Sequence, residues 1–143
     1  MKTKLFAVAV ALLFSAVATS TCYAQQTELA VKIPFAFQAG NHTMPAGEYL
    51  VKSVTDGGGT VQRLRQVDGN VVMNVFTLSV ETRNGDPSPR LVFHRYGETY
   101  FLAQIWTGLQ GRQLFRSNRE KEIAREEGRT EIALALQPTA VRP

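Results

Sequence analysis

Apolar residues along this chain come in short runs separated by Gly, Asn, Asp and Pro, the rhythm of strands and turns rather than of long helices. Residues 28–37 predict a first strand and residues 48–54 a second, with Gly40-Asn41-His42 and Pro45-Ala46-Gly47 punctuating a loop between them. Asp56-Gly57-Gly58-Gly59 predicts a turn. Residues 60–67 and 71–80 predict the next two strands, flanking Asp68-Gly69, a short hairpin signal. Pro87 and Pro89 cannot donate to a ladder, so residues 84–89 read as a loop. Residues 91–96 and 99–106 predict a further hairpin through Gly97-Glu98, with Gly at the first central position of a type II′ turn.

The rhythm changes at Ser117-Asn118-Arg119-Glu120. A Ser three residues before a Glu is a capping box, in which each side chain takes up the other residue's backbone N–H. A helix is predicted over 118–127, with Gly128 just past its end. Residues 130–136 predict a last strand, stopped by Pro138. The fold class expected is mainly β: a small β-barrel or β-sandwich of about seven strands with one short C-terminal helix.

The 91–106 hairpin stands out. A two-residue turn pairs Tyr96 with Thr99, Arg95 with Tyr100, His94 with Phe101 and Phe93 with Leu102. One face then carries Leu91, Phe93, Arg95, Tyr100, Leu102 and Trp106. The other carries Val92, His94, Tyr96, Phe101, Ala103 and Ile105. A half-buried hairpin is polar on one side. This one is apolar on both, so each face needs a cover.

Residues 1–24 form a separate unit. Lys2 and Lys4 precede an apolar run from Leu5 to Val17, followed by small residues ending Cys22-Tyr23-Ala24. This is the plan of a cleavable signal peptide, and the run is shorter than the ~20 residues of a membrane span. The expectation is a product that starts at Gln25, a single β-rich domain over 25–143, exported to the periplasm or the extracellular medium. The one cysteine, Cys22, leaves with the signal, so no disulfide or thiolate site is expected. Thr19 and Thr21 do not suit lipidation of Cys22. Without Lys2 and Lys4 the 16 basic residues fall to 14 against 12 acidic ones, a net charge near +2. That balance gives no reason to expect a nucleic-acid partner, and no later apolar stretch is long enough to span a membrane.

Candidate chemistry is sparse. His42 and His94 belong to no metal-ligand spacing, so neither a metal nor a cofactor is expected. There is no GxSxG or SxxK nucleophile motif, and no Lys-Ser or Lys-Thr follows the glycines at 57–59. Glu48, Asp56, Asp68 and Asp86 sit in or beside turns, where short acids bond their own backbone. The candidates for contact with a ligand or partner are His94, Arg95, Tyr96, Tyr100 and Trp106 on the hairpin, since Tyr, Trp and Arg are enriched where proteins bind. The alternative for the same residues is core packing.

Ile33-Pro34-Phe35-Ala36-Phe37, Met44-Pro45-Ala46-Gly47-Glu48-Tyr49 and Leu91-Val92-Phe93-His94-Arg95-Tyr96-Gly97, in that order, resemble a group of small secreted bacterial β-proteins. The same group has Tyr100-Phe101-Leu102 and Ile105-Trp106 in its hairpin, and the Ser-x-x-Glu helix start near the C-terminus also fits. The resemblance implies a bacterial exported domain and brings no activity, cofactor or site residue. The expected role is a non-enzymatic envelope or extracellular interaction protein. A lipocalin-like carrier of a small apolar ligand comes second and an enzyme third. A filled interior with an exposed apolar patch points to the first, and an empty apolar interior to the second. A histidine bonded to an acid in a cleft points to the third.

Overall fold

The computed structural model describes residues 28–54, 61–82 and 85–139. The expected signal segment and the turn at 56–59 lie outside the described residues. Within them the protein is mainly β, with one helix. The strands are β1 Leu29–Ile33, β2 Phe37–Ala39, β3 His42–Met44, β4 Gly47–Ser53, β5 Val61–Gln66 and β6 Val72–Glu81. They continue as β7 Arg90–Tyr96, β8 Thr99–Trp106, β9 Gln110–Leu114, β10 Thr130–Ala135 and β11 Gln137–Pro138. The helix α1, Asn118–Glu126, lies between β9 and β10.

Eleven strands replace the seven expected. The first predicted strand stops at Pro34, which has no N–H to give a ladder, and resumes as β2. The predicted 40–47 loop contains a small hairpin instead: β2 pairs β3, with Phe37 opposite Met44 and Gly40 in the turn at φ 62°. Strand β9 reads Gln-Gly-Arg-Gln-Leu and carries no apolar alternation, so nothing in its own sequence marks it. The Asp68-Gly69 turn is wider than a two-residue hairpin, closing with Gln66 N–H on the Val71 carbonyl at 2.9 Å.

The strands follow one path, β10-β7-β8-β9-β6-β5-β4-β1-β11, antiparallel throughout. The long strand β6 joins its two halves. Val72–Phe76 pairs with β5, and Thr77–Glu81 pairs with β9. Strand β2 attaches to β8 by a parallel contact, Gln38 with Phe101. The C-terminal segment serves both ends of the path: β10 pairs β7, Leu136 is buried, and β11 pairs β1. The sheet is nevertheless not closed into a barrel, because β10 and β1 do not pair.

One apolar core takes residues from every part of this path. Leu29, Val31 and Ile33 alternate inward from β1, Tyr49 and Val51 from β4, and Leu91 and Phe93 from β7. Aromatic rings fill its centre. Phe37 meets Phe93 and Tyr49 edge-on at centroid distances of 5.4 and 5.5 Å, and Phe35 stacks on Tyr100 at 3.9 Å. The Tyr49 hydroxyl is satisfied by the Pro45 carbonyl at 2.6 Å, so its burial leaves no orphaned donor.

The β7–β8 register is the expected one near the turn: Tyr96–Thr99, Arg95–Tyr100, His94–Phe101 and Phe93–Leu102. Gly97 sits at φ 53° with no positive φ at Glu98, as a type II′ turn requires. Beyond Phe93 the register shifts, and Val92 pairs with Gln104, leaving Ala103 as an extra residue. One inserted residue exchanges the faces of everything after it. Ile105 therefore joins Leu91, Phe93 and Leu102 in the core, and Trp106 turns to the opposite face, the reverse of the expected placement. There the indole lies over Gly111 of β9, where an added Cβ would come within 2.5 Å of the ring. It also receives the Arg90 guanidinium at 4.9 Å.

On the second face of the hairpin, α1, the connection from β9 to β10, places Glu120 against His94 and Tyr96 of β7. Val92, His94, Tyr96, Phe101 and Ala103 on this face are all buried. Both faces of the hairpin are thus interior. Phe93→Ala and Phe101→Ala, which remove rings from opposite faces, should each cost about 3–5 kcal/mol, measured by chemical denaturation of the protein. A small loss in either would mean that its face is not a structural core.

Candidate functional site

Helix α1 begins as the sequence suggests and then departs from it. Ser117 is the N-cap, and its Oγ accepts the Glu120 backbone N–H at 3.1 Å. The reciprocal half of the capping box is missing, because the Glu120 side chain turns down onto the sheet. Gly128 does not supply a left-handed cap either; Glu127 closes the helix in an extended conformation, its N–H on the Ile123 carbonyl.

Glu120 is the centre of a buried polar cluster. Its Oε1 lies 2.8 Å from His94 Nδ1 and accepts the Tyr96 hydroxyl at 3.3 Å. With Glu120 a carboxylate, Nδ1 is the nitrogen that carries the proton and donates. Arg116 Nε stands 3.8 Å from the same oxygen, and Glu131 Oε1 stands 3.7 Å from His94 Nε2. Burial, and secondarily the neighbouring Glu120 carboxylate, push the Tyr96 phenol above its ordinary value. A buried carboxylate is costly unless hydrogen-bonded, and His94 and Tyr96 supply those bonds.

This pair meets the distance criterion for an acid–base dyad, but both side chains are buried. The side chains of His94 and Glu120 are 7% and 5% exposed, and α1 closes over them. The arrangement as it stands fastens the helix to the sheet. His42, the other histidine, lies exposed on β3. Among the described residues no group of three or more His, Cys, Asp or Glu could hold a metal ion, and no helix is long and apolar enough to cross a membrane.

The hairpin residues singled out from the sequence divide into three places. His94 and Tyr96 lie under the helix. Tyr100 is half-buried, stacked on Phe35, with the Arg95 guanidinium 5.6 Å above its ring. Arg95 Nε donates to the Gly97 carbonyl at 2.7 Å. Trp106 is buried at the far end of the hairpin, its indole N–H on Gln104 Oε1 at 2.9 Å. These five side chains form no common surface.

The exposed apolar surface lies elsewhere. On the outward face of β6, Val72, Phe76 and Leu78 are 54%, 68% and 54% exposed, and Phe115, just beyond β9, is 59% exposed. Thr77 pairs with Leu114, which sets Phe76 and Phe115 side by side at the end of that ladder. Together with the tip of the β2–β3 hairpin they border a groove of about 350 Å³. The sequence did hold a signal for this face. Residues 72–78 read Val-Met-Asn-Val-Phe-Thr-Leu, apolar on both sides of the strand just as the later hairpin is. What the sequence lacked was any sign that no helix covers it.

No family model, curated protein or solved structure matches this chain.

If the Glu120 cluster is what holds α1 down, its loss should be felt in stability. Glu120→Ala should cost about 1.5–3 kcal/mol, and Glu120→Gln, which keeps an acceptor for His94 and Tyr96, should cost less. Urea denaturation followed by circular dichroism separates the two. Equal and small losses would show that the helix is held by something else.

Proposed function

We propose that this chain is an exported, non-enzymatic interaction protein of sandwich-like packing, acting in the periplasm or outside the cell, whose contact surface is the outward face of β6 with Phe115. The observation that carries this reading is the contrast between inside and outside. The interior is filled: Phe37, Tyr49, Leu64, Leu91, Phe93 and Ile105 are each 1% exposed or less. Phe76 and Leu78 nevertheless remain in water on β6, a strand in the middle of the sheet, with exposed Phe115 beside Phe76 just beyond β9. Single exposed apolar residues are ordinary, but a contiguous group marks a contact site. No observation favours a ligand held in the interior, and the buried His94–Glu120 pair offers a substrate no approach.

The test is site-specific photo-crosslinking in cells that export the protein. A photoreactive side chain at position 76 or 115 should give discrete adducts, and the same group at exposed Lys32 or Glu98 should give none. Phe76→Ser should change stability by no more than about 0.5 kcal/mol, as surface substitutions do, and should abolish the adduct formed from position 115. Identical adducts from all four positions, or none from any, would refute the reading.

A further inference from the structure

The groove beside Phe76 and Phe115 has a defined chemistry. Met73, Phe76 and Phe115 provide apolar wall, and His42 and Arg116 stand among the residues that line it; no Asp or Glu does so. The Arg116 side chain is 41% exposed. Among the described residues its approach to a carboxylate is from Nε to Glu120 Oε1 at 3.8 Å, which is too long for a hydrogen bond. That oxygen already takes His94 and Tyr96. The planar fork of the guanidinium is therefore not spent on Glu120, and it suits a carboxylate geometrically.

An apolar recess beside a cation complements a group that is apolar and anionic at once. Asp and Glu carry the carboxylate on the side chain and leave nothing apolar for the phenyl rings. In a polypeptide both features meet on one residue only at a C-terminus with an apolar side chain. We infer that this groove receives the C-terminus of a partner polypeptide ending in an apolar residue, with its carboxylate on Arg116 and its side chain between Phe76 and Phe115. The inference rests on the reading of this face as a contact surface and names the partner's chemistry. Capture of a terminal carboxylate is a recurring mode of peptide recognition. A volume of about 350 Å³ falls near the lower end of the range of roughly 300–1,000 Å³ for ligand sites, which suits a chain end rather than a long tail.

The experiment measures binding of two fluorescein-labelled peptides to the exported domain by anisotropy. Both end in Val-Phe, one as the free acid and one as the amide. The acid should bind at least about tenfold tighter, the worth of one charge-assisted hydrogen bond. Arg116→Gln should erase that preference, Arg116→Lys should restore part of it, and Phe115→Ser should weaken both peptides. Lys32→Ser, exposed on β1 and outside the contact surface, should leave both unchanged. Equal binding of acid and amide, a preference that survives Arg116→Gln, or tighter binding of decanoate than of the peptide acid would overturn the inference. If the crosslinks at 76 and 115 persist while the acid shows no preference, the contact surface stands and only the carboxylate reading fails. If the crosslinks are absent too, both fail.

Discussion

A hairpin with no face open to water governs this structure. Strands β7 and β8 carry large apolar side chains on both sides, so the rest of the chain has to supply two covers rather than one. The first is the remainder of the sheet, folded round so that β1, β4 and β5 bring their alternating side chains onto Leu91, Phe93, Leu102 and Ile105. The second is α1. This requirement explains the connection between β9 and β10, which would otherwise be a simple loop from one strand to another on the far side of the hairpin.

The helix is poorly suited to the task by hydrophobicity alone. Ile123 and Ala124 are its apolar residues, and both are only half-buried. A nine-residue helix is also marginal by itself. A carboxylate does what an apolar stripe would normally do. Glu120 enters the interface with its charge because His94 and Tyr96 stand on the same face of β7 as donors. Such a pairing adds direction that an apolar contact lacks: it fixes which turn of the helix sits over which strand. The cost is a capping box left half-formed, since one carboxylate cannot serve both the helix start and the sheet.

Much of this was legible in the sequence, and the failures have physical causes. The β7–β8 register near the turn follows from Gly97 and a period of two. The face of Trp106 did not, because a bulge at Ala103 leaves no local mark: Ala-Gln-Ile-Trp alternates acceptably in either register. Strand β9 was invisible because its residues at the ladder are Gln, Gly, Arg and Gln, chosen by what they pair with and by the indole above Gly111. Spacing alone makes Ser117 and Glu120 a capping box. That spacing cannot show that His94 waits beneath. The five hairpin residues singled out as candidates were chosen for their chemistry, and chemistry does not tell a buried tyrosine from an exposed one. The apolar outward face of β6 could have been found by the same two-faced test that picked out the hairpin. The difference between them, a helix over one and none over the other, is a matter of topology.

The same contrast carries the functional reading. The β7–β8 hairpin and strand β6 are each apolar on both faces; the hairpin has its second face buried, and β6 keeps Phe76 and Leu78 in water. If the sealed hairpin is the structural centre, it should also be the last part of the molecule to open. Native-state hydrogen exchange tests this directly. Amides of β7 and β8, including those of Val92, His94 and Phe101, should exchange only through global unfolding, with a free energy equal to that from denaturation, while β6 amides near Phe76 open at lower cost. Exchange of β7 and β8 through cheap local opening, with β5 and β6 as the most protected strands, would contradict the account.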